Sequence, residues 1–245
     1  LPVRLGAVAS DRSAFRHRDF RLLWLALLTS GFALQMASVA VGWQVYSIHG
    51  NPLDLGLIGL AEFLQLPLLA LPAGHLADRL PRRGIFAVAI ALEAAVAIGL
   101  LLVSLGGARS LWPFLGLALG TGVAGAVGSP AGRSLTPLLV PQEILPTAFA
   151  QRGMAFQVSV VTGPAAGGVL FAIRPELVYG VAAALSLLAL ACVLALRAGR
   201  AAAGAGAPGF QSVLAGVRLI RGSPVLLVAI SLDLFAVLFG GAVAL

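Results

Sequence analysis

Four side chains sit where chemistry is expensive. Glu62, Glu93 and Asp233 are carboxylates inside long apolar runs, and Gln35 is an amide inside another. An ionisable group at membrane depth costs free energy and by default marks a proton or substrate path. With about 1.5 Å of rise per residue, Glu62 lies about 10 Å from one end of its run, and Asp233 is near the middle of its own. Glu62, Asp233 and Gln35 are the candidate substrate or proton contacts; Glu93 reads more simply as a carboxyl hydrogen-bonded between helices. Gln44 shares a run with Gln35, but nine residues turn it about 180° away, so the two cannot serve one cavity. A second group of residues is local: GHLADRLPRR, residues 74–83, sets Gly74, Asp78, Arg79, Arg82 and Arg83 on one tight turn. There a glycine admits a second backbone, an aspartate can accept from the amides of a facing helix, and the arginines suit lipid headgroups.

The elements that must position these groups are membrane helices. Of 245 residues, 60% are hydrophobic and 10% charged, and mean hydropathy is +1.02, far from the roughly 25% charged residues of soluble domains. A span needs about 20 mostly apolar residues. Seven segments qualify: Phe20 to Ile48, Leu55 to Leu76, Ile85 to Leu105, Leu111 to Ala131, Thr147 to Ile173, Leu177 to Leu196 and Pro224 to Leu245. All 16 basic residues are arginine, and only Arg109 and Arg174 fall in the gaps of the opposite side. Because positive charge is retained in the cytoplasm, the N-terminus is expected inside. The arginine-rich, lysine-free composition points to a bacterial cytoplasmic (inner) membrane.

The net charge of +7 is scattered over short loops without a basic patch, which argues against nucleic acid. His17, His49 and His75 are separated, so no metal site is expected, and no cofactor is. Neither a GxSxG motif nor a phosphate loop appears, and the single cysteine, Cys192, lies in a span; an enzyme is not expected. Trp24, Trp43, Tyr46, Trp112 and Tyr179 fall near span ends and read as an aromatic belt.

The expected organisation is a cytoplasmic tail over 1–19, a six-helix half over 20–197, a linker with a basic amphipathic helix over 198–222, and helix seven over 223–245. Short connections force neighbouring spans antiparallel. Small residues crowd segments four and five, where lipid offers no hydrophobic drive and close backbone approach supplies the packing.

GHLADRLPRR resembles the loop signature GxxxDRxGRR between helices two and three of the major facilitator superfamily, with Pro81 in place of a glycine. VVTGPAAGGVLF, residues 160–171, is similar to that superfamily's antiporter signature, with Gly163, Pro164, Gly167 and Gly168 in place and Ala150 and Ser159 at two upstream glycine positions. FRLLWLALLTSGFALQM, VGWQVYSIHGNPLDLGLIGLAEF and LDLFAVLFGG look like its enterobactin-exporter branch. The resemblance implies an all-α fold: one six-helix bundle plus the first helix of a second half, with helices one, two, four, five and seven lining a cavity and three and six outside it. It implies alternating-access export of a siderophore or drug-like small molecule, with Asp78 and its arginines as a gating loop. The family's buried arginine in helix four has no counterpart, since Arg133 lies at the end of that span, so proton coupling stays open. The missing C-terminal half is then the expected partner, and a nonfunctional or scaffold-like membrane fragment is the alternative reading.

Overall fold

The computed structural model describes residues 14–79, 81–107 and 110–197, with Val228, Ser231 and Leu232; for His49, Leu66 and 70–79 it describes backbone alone. After a 3-10 turn at Ala14–Arg16 come α1 (Arg18–His49), α2 (Pro52–Arg79), α3 (Arg82–Leu105), α4 (Trp112–Leu139), α5 (Leu145–Ile173) and α6 (Pro175–Leu194). A second short 3-10 turn, Gln142–Ile144, precedes α5. No strand occurs among the described residues, and all six helices contain a stretch long and apolar enough to cross a membrane. The protein is an all-α, multi-pass membrane protein.

Turn chemistry explains how the helices follow one another so closely. α1 ends on Gly50, whose φ of 66° is left-handed and whose N–H closes back onto Tyr46 O at 2.8 Å; glycine takes that conformation without steric cost. Asn51 Oδ1 then accepts from Leu53 N–H at 3.1 Å, and Pro52 opens α2 where its missing N–H costs nothing. The α5–α6 turn is shorter still: Arg174 is the last residue of one boundary and the first of the next, followed by Pro175.

Several helices outrun their apolar segments. α4 continues past Ala131 to Leu139, carrying Pro130, Arg133 and Pro137 inside it, and α5 starts at Leu145 rather than Thr147. Hydropathy stops at the first arginine, whereas backbone hydrogen bonding does not. Arg133 and Arg152 are both helical.

Packing follows an internal symmetry. α1 lies mainly on α5 and α6, α4 lies mainly on α2 and α3, and α3 meets α6. Exchanging the first three helices for the last three leaves this pairing unchanged, the pattern of an inverted three-plus-three repeat. α2 and α5 are the least covered helices, and α3 and α6 the most covered, with α4 close behind.

The core has three tiers. At the arginine-rich end Phe20, Leu23, Phe86, Ile90, Leu135 and Val193 pack together; at the opposite end Met36, Val45, Leu100, Phe114, Val178 and Tyr179 do. Between them the tier consists of Ala33, Ala97, Ala182 and Ala183, the smallest side chains of the core. The chain divides into two compact units, Leu1–Gly204 and Ala205–Leu245. The expected linker and most of the seventh span lie outside the described residues; Val228, Ser231 and Leu232 are helical.

Candidate functional site

Two helix crossings hold the candidate contacts. At the first, α1 passes over the glycines of α5. A Cβ at Gly163 would lie 2.7 Å from Gln35 Cβ, and one at Gly167 would lie 2.9 Å from the backbone oxygen of Met36. Gly163 and Gly167 are buried, so the two backbones approach as closely as glycine permits. Ser159 extends the same face: its Oγ lies 2.9 Å from Ala155 O in its own helix and 3.2 Å from Leu28 O across the interface, against Gly31. Pro164 sits inside the helix between these contacts. Gly168 does not belong to the crossing, because a Cβ there meets nothing within 4 Å.

At the second crossing, related to the first by the helix exchange, Gly122 of α4 faces the backbone carbonyl of Glu62 in α2, too close for any Cβ between them. Glu62 itself is half-buried and makes no hydrogen bond or ion pair with a described residue. Gln35 is likewise half-buried and without a hydrogen bond to a described residue. Both candidates thus sit at a close glycine crossing, Gln35 of α1 against Gly163 and Glu62 of α2 against Gly122. Asp233, the third, lies outside the described residues.

Gln44 turns away from Gln35, as the half-turn spacing requires, and enters a polar clamp. Tyr179 Oη donates to Gln44 Oε1 at 2.8 Å, and Gln44 Nε2 donates to Ser104 Oγ at 3.2 Å, tying α6, α1 and α3 together. Tyr179 is 0% exposed, which corrects its assignment to the aromatic belt: a tyrosine near a span end can point inward when an amide waits for its hydroxyl. Trp24 also turns inward, donating to Gln151 O at 2.9 Å and packing edge-on to Phe15. Trp43 and Trp112 are exposed, as the belt requires.

Glu93 lines a cavity of about 30 Å³ beside the alanine tier, with Thr121 from α4 and Ser186 from α6. A space of that size admits a water or two. Glu93 makes no hydrogen bond with a described residue, and Thr121 Oγ1 donates within its own helix to Leu117 O at 3.3 Å, so the expected carboxyl bridge between helices is not formed by a direct contact.

The signature turn is split between two helices. Gly74, Asp78 and Arg79 are in the last two turns of α2, and Arg82 and Arg83 open α3 after Pro81. Arg82 is exposed. Arg83 reaches back to α6: its Nε donates to Val193 O at 3.1 Å and its Nη2 to Leu194 O at 2.5 Å. It therefore caps the C-terminal carbonyls of α6, where a cation also meets the negative end of the helix dipole. Sequence gave no sign of this partner, which is 110 residues away.

Among the described residues no cluster of three or more His, Cys, Asp or Glu could hold a metal. The one buried side-chain polar atom there without a hydrogen-bond partner is Gln151 Oε1.

Six antiparallel spans, an inverted repeat and an arginine-bearing turn between α2 and α3 define a half-bundle of the major-facilitator kind. The comparisons with known proteins agree. The family described as transmembrane secretion effector, within that superfamily, matches residues 9–244, and the chain belongs to it. Its relatives include the protein named Enterobactin exporter EntS of Shigella dysenteriae serotype 1 (strain Sd197), 32% identical over 213 residues that cover 85% of this chain and 50% of that one. The protein of the same name from Citrobacter koseri is 31% identical over 215 residues, 86% of this chain and 51% of that one. Its counterpart in Escherichia coli O1:K1 / APEC is 31% identical over 213 residues. The chain spans about half the length of the curated relatives it matches.

Proposed function

We propose that this chain is the N-terminal part of a secondary exporter that moves a siderophore or drug-like small molecule by alternating access, with its N-terminus in the cytoplasm. The family match over nearly the whole chain carries the reading, and relatives named as enterobactin exporters give the cargo class. In this reading the six-helix unit rocks as a body, held rigid by the two glycine crossings and the Tyr179 clamp, against a second half built on helix seven. Asp78, with Arg79 and Arg82, latches the cytoplasmic face in one state, while Arg83 fixes the turn to α6. Gln35, Glu62 and Asp233 meet the cargo or a coupling proton.

The test uses the full-length protein in everted vesicles, with enterobactin as the first cargo. Uptake is expected, and vesicles that take up neither enterobactin nor a panel of drug-like cations and acids, with or without a proton gradient, would exclude export. Asp78→Asn is expected to lower uptake about tenfold, equivalent to about 1.4 kcal/mol, while the amount inserted in the membrane is unchanged. Wild-type uptake by that variant would remove the latch.

A further inference from the structure

At the arginine-rich end, one side chain bridges α4 and α5, which otherwise scarcely touch. Arg152 of α5 is half-buried, and its Nη1 donates to Gly132 O at 2.5 Å and to Thr136 Oγ1 at 3.1 Å, both on α4. Gly132 and Thr136 are buried, so the guanidinium is held from the protein side. Trp24 secures the same turn of α5 to α1 through the Gln151 carbonyl. Arg133, next to Gly132, is exposed and close enough for its charge to repel that of Arg152.

No carboxylate among the described residues neutralises this pair. The ion pairs found there, Arg18–Asp19 and Arg174–Glu176, lie elsewhere. Both arginines stand where the apolar parts of their helices give way, and two like charges there, with no carboxylate between them, favour an anion that would offset both. The protein contacts of Arg152 are neutral oxygens and use Nη1 alone. Nε–H and both Nη2 hydrogens meet no described acceptor, and that edge of the planar fork matches two oxygens of one phosphate or carboxylate.

We propose that Arg133 and Arg152 form a binding site for a single anionic group, a phosphate or carboxylate, at the arginine-rich mouth between α4 and α5. Two sources present that chemistry: the phosphodiester of a membrane lipid and an acidic group on the cargo. Only the second source rests on the exporter reading.

Native mass spectrometry of the full-length protein in detergent separates them, using dioleoylphosphatidylglycerol as anionic probe, dioleoylglycerol as the same lipid body without phosphate, and sodium benzoate as a free acid. Phosphatidylglycerol or benzoate is expected to bind the wild type, with phosphatidylglycerol favoured over dioleoylglycerol if lipid is the source. Arg133→Gln and Arg152→Gln are each expected to weaken the bound anion about tenfold, the scale of one lost charge-assisted contact. Arg174→Gln, at the opposite end, leaves it unchanged. Displacement of the lipid by benzoate, or benzoate binding alone, assigns the site to the cargo; phosphatidylglycerol binding that benzoate does not disturb assigns it to lipid. Arg133→Gln breaks no described hydrogen bond, so its effect cannot be put down to misfolding, and Arg152→Lys keeps the charge without the fork. Wild-type anion binding by the Arg133→Gln/Arg152→Gln variant, or no anion binding by the wild type, overturns the site. Because binding is read without transport, a protein that binds the anion but moves nothing refutes the exporter reading alone.

Discussion

At the scale of single residues, a few polar side chains join one helix to another, among them Tyr179, Gln44 and Arg83, and the joins can be cut one at a time. Tyr179→Phe removes the hydroxyl that reaches Gln44 at 2.8 Å and leaves the half-buried Gln44 amide oxygen without its donor. A loss of about 1–2 kcal/mol is expected, read as a lower unfolding midpoint in mixed detergent. Gln44→Met in the same background should then cost only the remaining bond to Ser104 Oγ, less than Gln44→Met costs in the wild type; fully additive losses would show that the clamp is not a unit. Arg83→Gln should lower stability by about 1 kcal/mol through the carbonyls of Val193 and Leu194, with transport per inserted molecule intact. Equal stability of that variant would return Arg83 to the headgroups. Neither partnership was legible in the sequence. A tyrosine near a span end and an arginine in a polar turn each have a default reading, and only three-dimensional proximity to a residue far along the chain replaces it. What the sequence did carry was angular: nine residues separate Gln35 from Gln44, and they do serve different interfaces.

The helices themselves were legible because hydropathy and span length are both local properties. Their ends were less so, since Arg133 and Pro137 break the apolar pattern of α4 without breaking its backbone ladder. The glycine-rich segments read as close packing, and the structure divides that statement residue by residue. In α5, Gly167 faces the backbone of Met36, whereas Gly168, its neighbour, faces open space. Gly167→Ala must push α1 away from α5 and should cost about 1–3 kcal/mol, while Gly168→Ala should fall within about 0.5 kcal/mol of wild type, aided by its better helix propensity. Thermal unfolding of the two variants in the same detergent decides: similar losses would mean that the motif's glycines act through helix flexibility and not through contact. Glu93 shows the limit of pattern at this scale. Helical periodicity places it at depth, but the shared cavity with Thr121 and Ser186 depends on how α3, α4 and α6 meet.

For the molecule as a whole, orientation is the property that links all the others. The exporter latch needs GHLADRLPRR on the cytoplasmic face, and the arginine count is the physical reason to expect it there. Antiparallel helices and the two large core tiers place Arg82 and Leu53 at opposite ends of the bundle. Both are accessible, Leu53 with 73% exposure. The native thiol, Cys192, is buried and can be replaced by Ser so that added thiols report alone. In that background of the full-length protein, a membrane-impermeant maleimide should label Leu53→Cys on intact spheroplasts and Arg82→Cys only in everted vesicles. The reverse pattern would invert the molecule and put Asp78 and the Arg133–Arg152 pair on the far side, where neither a cytoplasmic latch nor capture of cargo from the cytoplasm is available to them. Labelling of both sites from one side would break the antiparallel bundle itself. The expected pattern makes three separate features depend on one face: the signature turn, the cap that Arg83 places on α6, and the uncompensated pair between α4 and α5. A cargo arriving from the cytoplasm would then meet the arginine pair before it meets Gln35 or Glu62.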